Sequence, residues 1–139
     1  MSQTMIFWPI LAHMLLVYVL YMVLGWCRWR AVASGEATSN QYKTRTQEPA
    51  RSVAVSNNLM NQYELPVLFY VLCLGLFVTN GVSYVALILA WLFVASRCLH
   101  SYVHVAWNDI RYRGRSFGIG FLLVIAMAVL LALHLLGAG

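Results

Sequence analysis

Four long apolar stretches, separated by polar segments, dominate the pattern along the chain. They cover residues 5–27, 65–79, 82–96 and 117–136. The first and the last approach the roughly 20 apolar residues with which an α-helix crosses a hydrocarbon layer about 30 Å thick. The pattern therefore predicts an all-α membrane protein: one domain over residues 1–139, a bundle of four transmembrane helices at about residues 5–27, 50–79, 82–108 and 115–137.

The two middle stretches are too short to cross a membrane as they stand. Each has about 15 uncharged residues, which at about 1.5 Å per residue reach only about 22 Å. To span, the second helix must extend backwards through Glu64 and Asn61, and the third forwards through Arg97 and His100. Both helices therefore carry polar side chains into the membrane. Pro66 should kink the second helix there, because it cannot complete the helical hydrogen bond to the carbonyl four residues earlier.

Charge supports the membrane assignment and predicts the orientation. The chain is 62% hydrophobic and only 9% charged, whereas about 25% of residues in a soluble domain are charged. The positive-inside rule places segments rich in Lys and Arg in the cytoplasm, so both termini, which carry neither, should lie on the non-cytoplasmic side. The net charge of +5 is explained by the basic residues of these two segments, which set the topology and contact anionic lipid. We therefore expect no nucleic-acid partner. The basic residues are Arg28, Arg30, Lys43, Arg45 and Arg51 between the first two helices, and Arg111, Arg113 and Arg115 between the last two.

Helical spacing groups the intramembrane polar residues into two faces. One face of the second helix has Asn57, Asn61 and Glu64, and one face of the third has Arg97, His100, His104, Asn108 and Arg111. Glu64 and Arg97 both lie roughly 10–15 Å from the cytoplasmic ends of their helices. We expect them to pair within a subunit, because an unpaired ion at that depth costs at least about 2.5–3.5 kcal/mol.

Two interpretations of this polar layer remain open. In the first, Glu64 and Arg97 only lock the helices together. In the second, the layer is a site for an anionic, hydrogen-bonding ligand that enters from the cytoplasm. The excess of polar groups over a single ion pair favours the ligand site, and Tyr63 lies close enough to donate to such a ligand.

The remaining cysteines and histidines give weaker signals. Cys27, Cys73 and Cys98 form no CxxC or Cys/His pattern, so we interpret them as buried packing residues and predict no metal site. His13 and His134 both lie toward the outer side of the membrane. A haem held by these two histidines is the less favoured alternative, because a lone histidine in a membrane helix more often bonds to a neighbouring helix.

The order of these motifs resembles the MAPEG family, the membrane-associated proteins in eicosanoid and glutathione metabolism. The resemblance rests on NQYELPVLFY at residues 61–70, on SRCLHSYVH at residues 96–104, and on Asn108 with the arginines that follow it. Chain length, four helices and a long polar segment after the first helix agree with it. It covers most of the chain.

The resemblance implies a homotrimer that binds glutathione as a co-substrate between neighbouring subunits, in the cytoplasmic half of the membrane. Asn61 and Glu64 would hold the peptide backbone and amino group of glutathione, and Arg97 would bind a carboxylate or support Glu64. A nearby guanidinium favours the thiolate of a thiol whose pKa is otherwise about 8.5. One of Arg111, Arg113 and Arg115 would supply it, and the other candidate ligand-binding residues are His100, His104 and Tyr63.

At three points the chain differs from the family's pattern. Asn57 occupies the position of an arginine that catalytic members usually have, and His100 or His104 replaces a tyrosine. In addition, Pro66 follows Glu64 sooner than the corresponding proline does in the mammalian enzymes. Two interpretations of the function therefore remain open. The protein is an enzyme that conjugates glutathione to a hydrophobic electrophile from the lipid, or reduces a hydroperoxide with it; alternatively, it is a noncatalytic scaffold or lipid-binding subunit. In both, we expect a multi-pass integral membrane protein, of the inner membrane of a bacterium.

Overall fold

The fold contains only helices in the part of the chain that the computed structural model describes, residues 2–43, 47–106 and 109–137. A 3₁₀ turn, Gln3–Ile6, leads into the first helix, and a second one, Ser39–Lys43, lies in the long polar segment. The α-helices are α1 (Phe7–Ala33), α2 (Ala50–Asn61), α3 (Leu65–Val78), α4 (Tyr84–Ala106) and α5 (Ile110–Leu135).

Within the described residues, four helical segments are long and apolar enough to cross a membrane, and α2 and α3 together form the second of them. The four-span, all-helical architecture predicted from the apolar stretches is therefore confirmed. The segments are Gln3–Ala33, Ala50–Val78, Tyr84–Ala106 and Ile110–Leu135.

The second span is interrupted more strongly than the predicted kink. Helix α2 ends at Asn61 and α3 begins at Leu65, and Glu64 between them has φ −100° and ψ −98°, outside the helical region. Pro66 lies in the first turn of α3, where its missing N–H leaves no helical hydrogen bond unmade. In a continuous helix its ring would clash with the carbonyl of Gln62, so the chain breaks there.

The last helix begins five residues earlier than the predicted start at residue 115. Asp109 caps it, because its carboxylate accepts hydrogen bonds from the backbone N–H groups of Arg111, at 2.8 Å, and Tyr112, at 3.5 Å. Arg113 and Arg115 consequently lie on the first turns of α5 and not in a loop before it, so their positions on the helix determine which face each occupies. Asn108 and Arg45 lie outside the described residues.

The core consists of two apolar clusters. The larger one joins the start of α1 to α3, α4 and the second half of α5, and at its centre the rings of Phe69 and Phe93 stack at 4.4 Å. The smaller one lies between α1 and α2. Cys27 and Cys73 are buried in these clusters as predicted, but Cys98 is exposed, because α4 turns that side away from the other helices.

Candidate functional site

Arg97 of α4 is fully buried, with 0% of its surface exposed. Its Nη2 donates to the backbone carbonyl of Asn61 at 3.3 Å, and its Nε donates to Oε1 of Gln62 at 3.4 Å. Among the described residues it forms no ion pair with Glu64, so the predicted Glu64–Arg97 pair is wrong. The physical reason is the break after Asn61, which removes Glu64 from the helical face and leaves it exposed on the bend.

Gln62 is the centre of a buried polar network that the sequence did not predict. Its Oε1 accepts from Nε2 of His13 at 3.2 Å, and Nδ1 of that ring accepts from the hydroxyl of Tyr70 at 2.6 Å. Its Nε2 donates to Oδ1 of Asn58 at 3.0 Å and to Oγ of Ser101 at 3.2 Å. The network therefore joins α1, α2, α3 and α4 in the middle of the bundle.

The inward face of α2 lies one residue away from the predicted one. Asn58 and Gln62 are buried, whereas Asn57, which was predicted to share the inner face, is exposed. The available signal was the four-residue spacing of Asn58 and Gln62, matched by that of Arg97 and Ser101 on α4.

His100 and His104 are buried next to Arg113 of α5, each with 2% of its surface exposed. Nδ1 of His100 lies 3.2 Å from the backbone carbonyl of Arg113; because a carbonyl only accepts, this nitrogen carries the proton. Nη1 of Arg113 lies 3.2 Å from Nε2 of His104; because a guanidinium only donates, the proton of that ring is on Nδ1. Arg113 thus fixes the tautomers of both rings.

Three buried polar atoms beside this contact have no hydrogen-bond partner among the described residues: Nη1 of Arg97, Nε2 of His100 and Nδ1 of His104. Nη1 of Arg97 is a donor because a guanidinium only donates. The tautomers make Nε2 of His100 an acceptor and Nδ1 of His104 a donor. A polar group left without a partner at membrane depth costs several kcal/mol. All three atoms are buried, so each keeps this cost unless water or a further polar group reaches it.

A cavity of about 240 Å³ opens beside His100 and Arg113, and Arg97 and His104 are not among the residues that line it. It brings together three of the predicted site residues, Asn61, His100 and Arg113, with Ile110, Gly114 and Phe117 as its other walls. Arg111 and Arg115 are exposed and do not line it, and the guanidinium of Arg115 lies over the ring of Tyr112 at 5.9 Å. Of the three candidate arginines, the structure thus places Arg113 alone at the cavity.

Glu64 and Tyr63 line a different cavity, of about 460 Å³, between α1 and α2. The hydroxyl of Tyr63 is bonded to that of Tyr21 at 2.8 Å. Arg28 also lines this cavity, but its guanidinium is held by both carboxylate oxygens of Glu48, at 2.9 and 2.6 Å. Within one subunit, the predicted site residues are therefore divided between two cavities.

His13 and His134, which were predicted toward the outer side, bond to other parts of the bundle, as the favoured interpretation had it. Nε2 of His134 on α5 donates to the carbonyl of Thr79 at 3.0 Å, after the end of α3. His13 belongs to the Gln62 network. The structure does not bring these two rings together in the way that a shared haem would need.

Comparison with known proteins identifies the family. The model of the MAPEG family matches residues 5–133, which is nearly the whole chain. No curated protein and no solved structure matches significantly. The resemblance of the two intramembrane motifs is therefore confirmed for the chain as a whole, and with it the four-helix membrane bundle. The chain belongs to the MAPEG family and is an integral, multi-pass membrane protein.

Proposed function

We propose that the protein is a glutathione-dependent membrane enzyme, which conjugates glutathione to a hydrophobic electrophile or reduces a hydroperoxide with it. The family includes glutathione-dependent transferases among its members. The observation that carries the proposal is the cavity that Asn61, His100 and Arg113 line together.

Each group at this cavity has a role that its chemistry suggests. The guanidinium of Arg113 stabilises the thiolate, because a nearby cation favours the charged form of a thiol. The amide of Asn61 bonds the peptide backbone, and Nε2 of His100 accepts one of its N–H groups. Arg97 and His104 do not line the cavity and support it through the residues that do: Arg97 donates to the carbonyl of Asn61, and His104 accepts from Arg113. Within one subunit Glu64 lines the cavity between α1 and α2, so the Glu64 that pairs with the ammonium group would come from a neighbouring subunit.

The size of the cavity supports a site between subunits. Ligand sites in proteins have volumes of roughly 300–1,000 Å³, and the cavity at Arg113 is smaller, at about 240 Å³. Glu64 also lies in a different cavity from Asn61. A neighbouring subunit must therefore add a wall, and we propose the homotrimer that the family resemblance implies. The hydrophobic substrate reaches the thiolate from the lipid, in the cytoplasmic half of the membrane.

Turnover by the purified protein tests the proposal. We expect an aryl halide to form a thioether with glutathione at a rate proportional to protein concentration. Arg113→Gln should lower that rate by about tenfold or more, since a hydrogen bond to a charged group contributes about 1.5–3 kcal/mol. Arg115→Gln removes the same charge from an exposed position and should retain the rate. Native mass measurement in mild detergent should show a trimer; a stable monomer would contradict the site between subunits.

A noncatalytic scaffold or lipid-binding subunit is the second candidate. It is favoured by Asn57, which occupies the position of an arginine in catalytic members and is exposed on α2. Glutathione binding without any product, from aryl halides or from hydroperoxides, would support this candidate. If the protein neither binds glutathione nor forms a product with it, both roles for glutathione are contradicted.

A further inference from the structure

A third cavity, of about 600 Å³, lies where the last turns of α1 meet the first turn of α2. Its walls share no residue with the two cavities described above. They are Trp26, Trp29, Arg30, Ala33, Ser34 and Arg51. Two aromatic side chains and two guanidinium groups thus surround one open space at an end of the bundle.

Both arginines of this cavity are available to an anion. Arg30 lies over the ring of Trp26, with 4.7 Å from its Cζ to the ring centroid, and forms no ion pair within the described residues. Arg51 pairs with Glu36 at 3.2 Å, but both side chains are more than 40% exposed, and such pairs contribute only about 0–1 kcal/mol. Arg28, two residues before Arg30, differs because Glu48 holds it through two hydrogen bonds.

The position of the tryptophans places this cavity at the level of lipid headgroups. Trp26 and Trp29 are 55% and 68% exposed, and tryptophan is enriched at the boundary between hydrocarbon and water. An exposed apolar stripe at helical spacing, Leu15, Val19 and Met22, leads along α1 to Trp26. An acyl chain can lie on this stripe while its phosphate reaches the arginines.

We propose that this cavity binds the phosphate of an anionic phospholipid between Arg30 and Arg51. The two guanidinium groups and the carboxylate of Glu36 leave one excess positive charge, which a singly charged headgroup neutralises. A zwitterionic lipid brings its own cation and leaves that charge unbalanced. The apolar stripe that leads to the cavity selects a lipid over free phosphate.

Lipid retention by the folded oligomer, measured by native mass spectrometry, tests this proposal. We expect the wild type to retain phosphatidylglycerol in preference to phosphatidylcholine. The double variant Arg30→Gln with Arg51→Gln should lose retention roughly fivefold for each arginine, the order that one basic side chain contributes near an anionic surface. The matched control, Arg111→Gln with Arg115→Gln, removes two exposed charges at the start of α5 and should keep the preference.

A second variant is expected to strengthen binding, so its result is informative even where the double variant fails to fold. Glu36→Gln removes the carboxylate that competes for Arg51, and we expect it to increase retention of phosphatidylglycerol. Unchanged retention in both this variant and the double variant would overturn the proposal, as would an equal loss in the α5 control. Thermal stabilisation by inorganic phosphate that equals the effect of phosphatidylglycerol would assign the cavity to a free anion and overturn the lipid.

Discussion

Nη2 of Arg97 donates a hydrogen bond to the backbone carbonyl of Asn61 at 3.3 Å, at the last residue of α2. The final carbonyls of a helix have no partner within it. A side chain of α4 therefore satisfies a carbonyl that the break in the second span leaves open. This bond ties the break to α4 and holds Asn61 at the edge of the cavity that Arg113 and His100 line.

The network around Gln62 should contribute strongly to stability. In Gln62→Leu, we expect a loss of about 1–3 kcal/mol for each buried group left without a partner, because such a group keeps its desolvation penalty. The two groups concerned are Nε2 of His13 and Nε of Arg97, since Asn58 and Ser101 stay bonded to each other. Thermal unfolding in detergent measures the effect. Asn57→Leu, an amide-to-leucine change at an exposed site on the same helix, is the control; equal unfolding temperatures of the two variants would contradict a stabilising network.

Gly81 is packed directly against His134. A Cβ atom built on Gly81 would lie 2.5 Å from Cδ2 and 2.8 Å from Nε2 of that ring, which also donates to Thr79. We expect Gly81→Ala to lower stability by about 1–3 kcal/mol, the usual cost of overpacking. At Gly25, within α1, the same Cβ meets no atom within 4 Å. Gly25→Ala should therefore be neutral or stabilising, and the prediction fails if thermal unfolding ranks the two variants in the opposite order.

The number of spans and the site of the break were predictable from the sequence, because apolar length and Pro66 act locally. The inward face of α2 was not. Neighbouring residues on a helix differ by about 100° in direction, so packing against α1 and α4 decides whether Asn57 or Asn58 points inward. The start of α5 was missed for another reason: its first turns are basic, and the signal lay in Asp109 as a cap.

Part of the candidate site could also be predicted from the sequence. His100, Asn61 and Arg113 do line one cavity, since each is fixed by its helix. The expected ion pair of Arg97 with Glu64 assumed a helix that continues past Asn61. Because the helix breaks, Gln62 and not Glu64 bonds to the Arg97 side chain. A search for opposite charges could not predict this uncharged partner.

The long polar segment is attached to the bundle by one ion pair that is far more buried than the other. The side chain of Glu48 is 3% exposed and bonds Arg28 through both oxygens, whereas Glu36, paired with Arg51, is 46% exposed. Glu48→Gln should cost about 1.5–3 kcal/mol and increase cleavage of residues 34–49 in limited proteolysis. Glu36→Gln should change stability by at most about 1 kcal/mol. Similar effects in the two variants would show that burial does not distinguish the pairs.

Orientation in the membrane stays a prediction of the charge distribution. The basic residues lie in two segments, and the positive-inside rule places both in the cytoplasm and the termini outside. A cysteine introduced by Ser2→Cys should react with an impermeant thiol reagent from the non-cytoplasmic side only. Reaction from the cytoplasmic side alone would reverse the topology and move the proposed glutathione site to the other face of the membrane.

We propose that glutathione binds at the cavity of Arg113, with Glu64 as the partner of its amino group. Thermal unfolding of the purified protein with and without millimolar glutathione tests this binding, because a ligand that binds only the folded state raises stability. We predict that glutathione stabilises the wild type and Arg115→Gln, and that this effect is largely lost in Arg113→Gln and Glu64→Gln. Without glutathione, Glu64→Gln should unfold at the wild-type temperature, since Glu64 is exposed and not paired with Arg97. Failure of glutathione to stabilise the wild type, or equal stabilisation of all four proteins, would contradict the site.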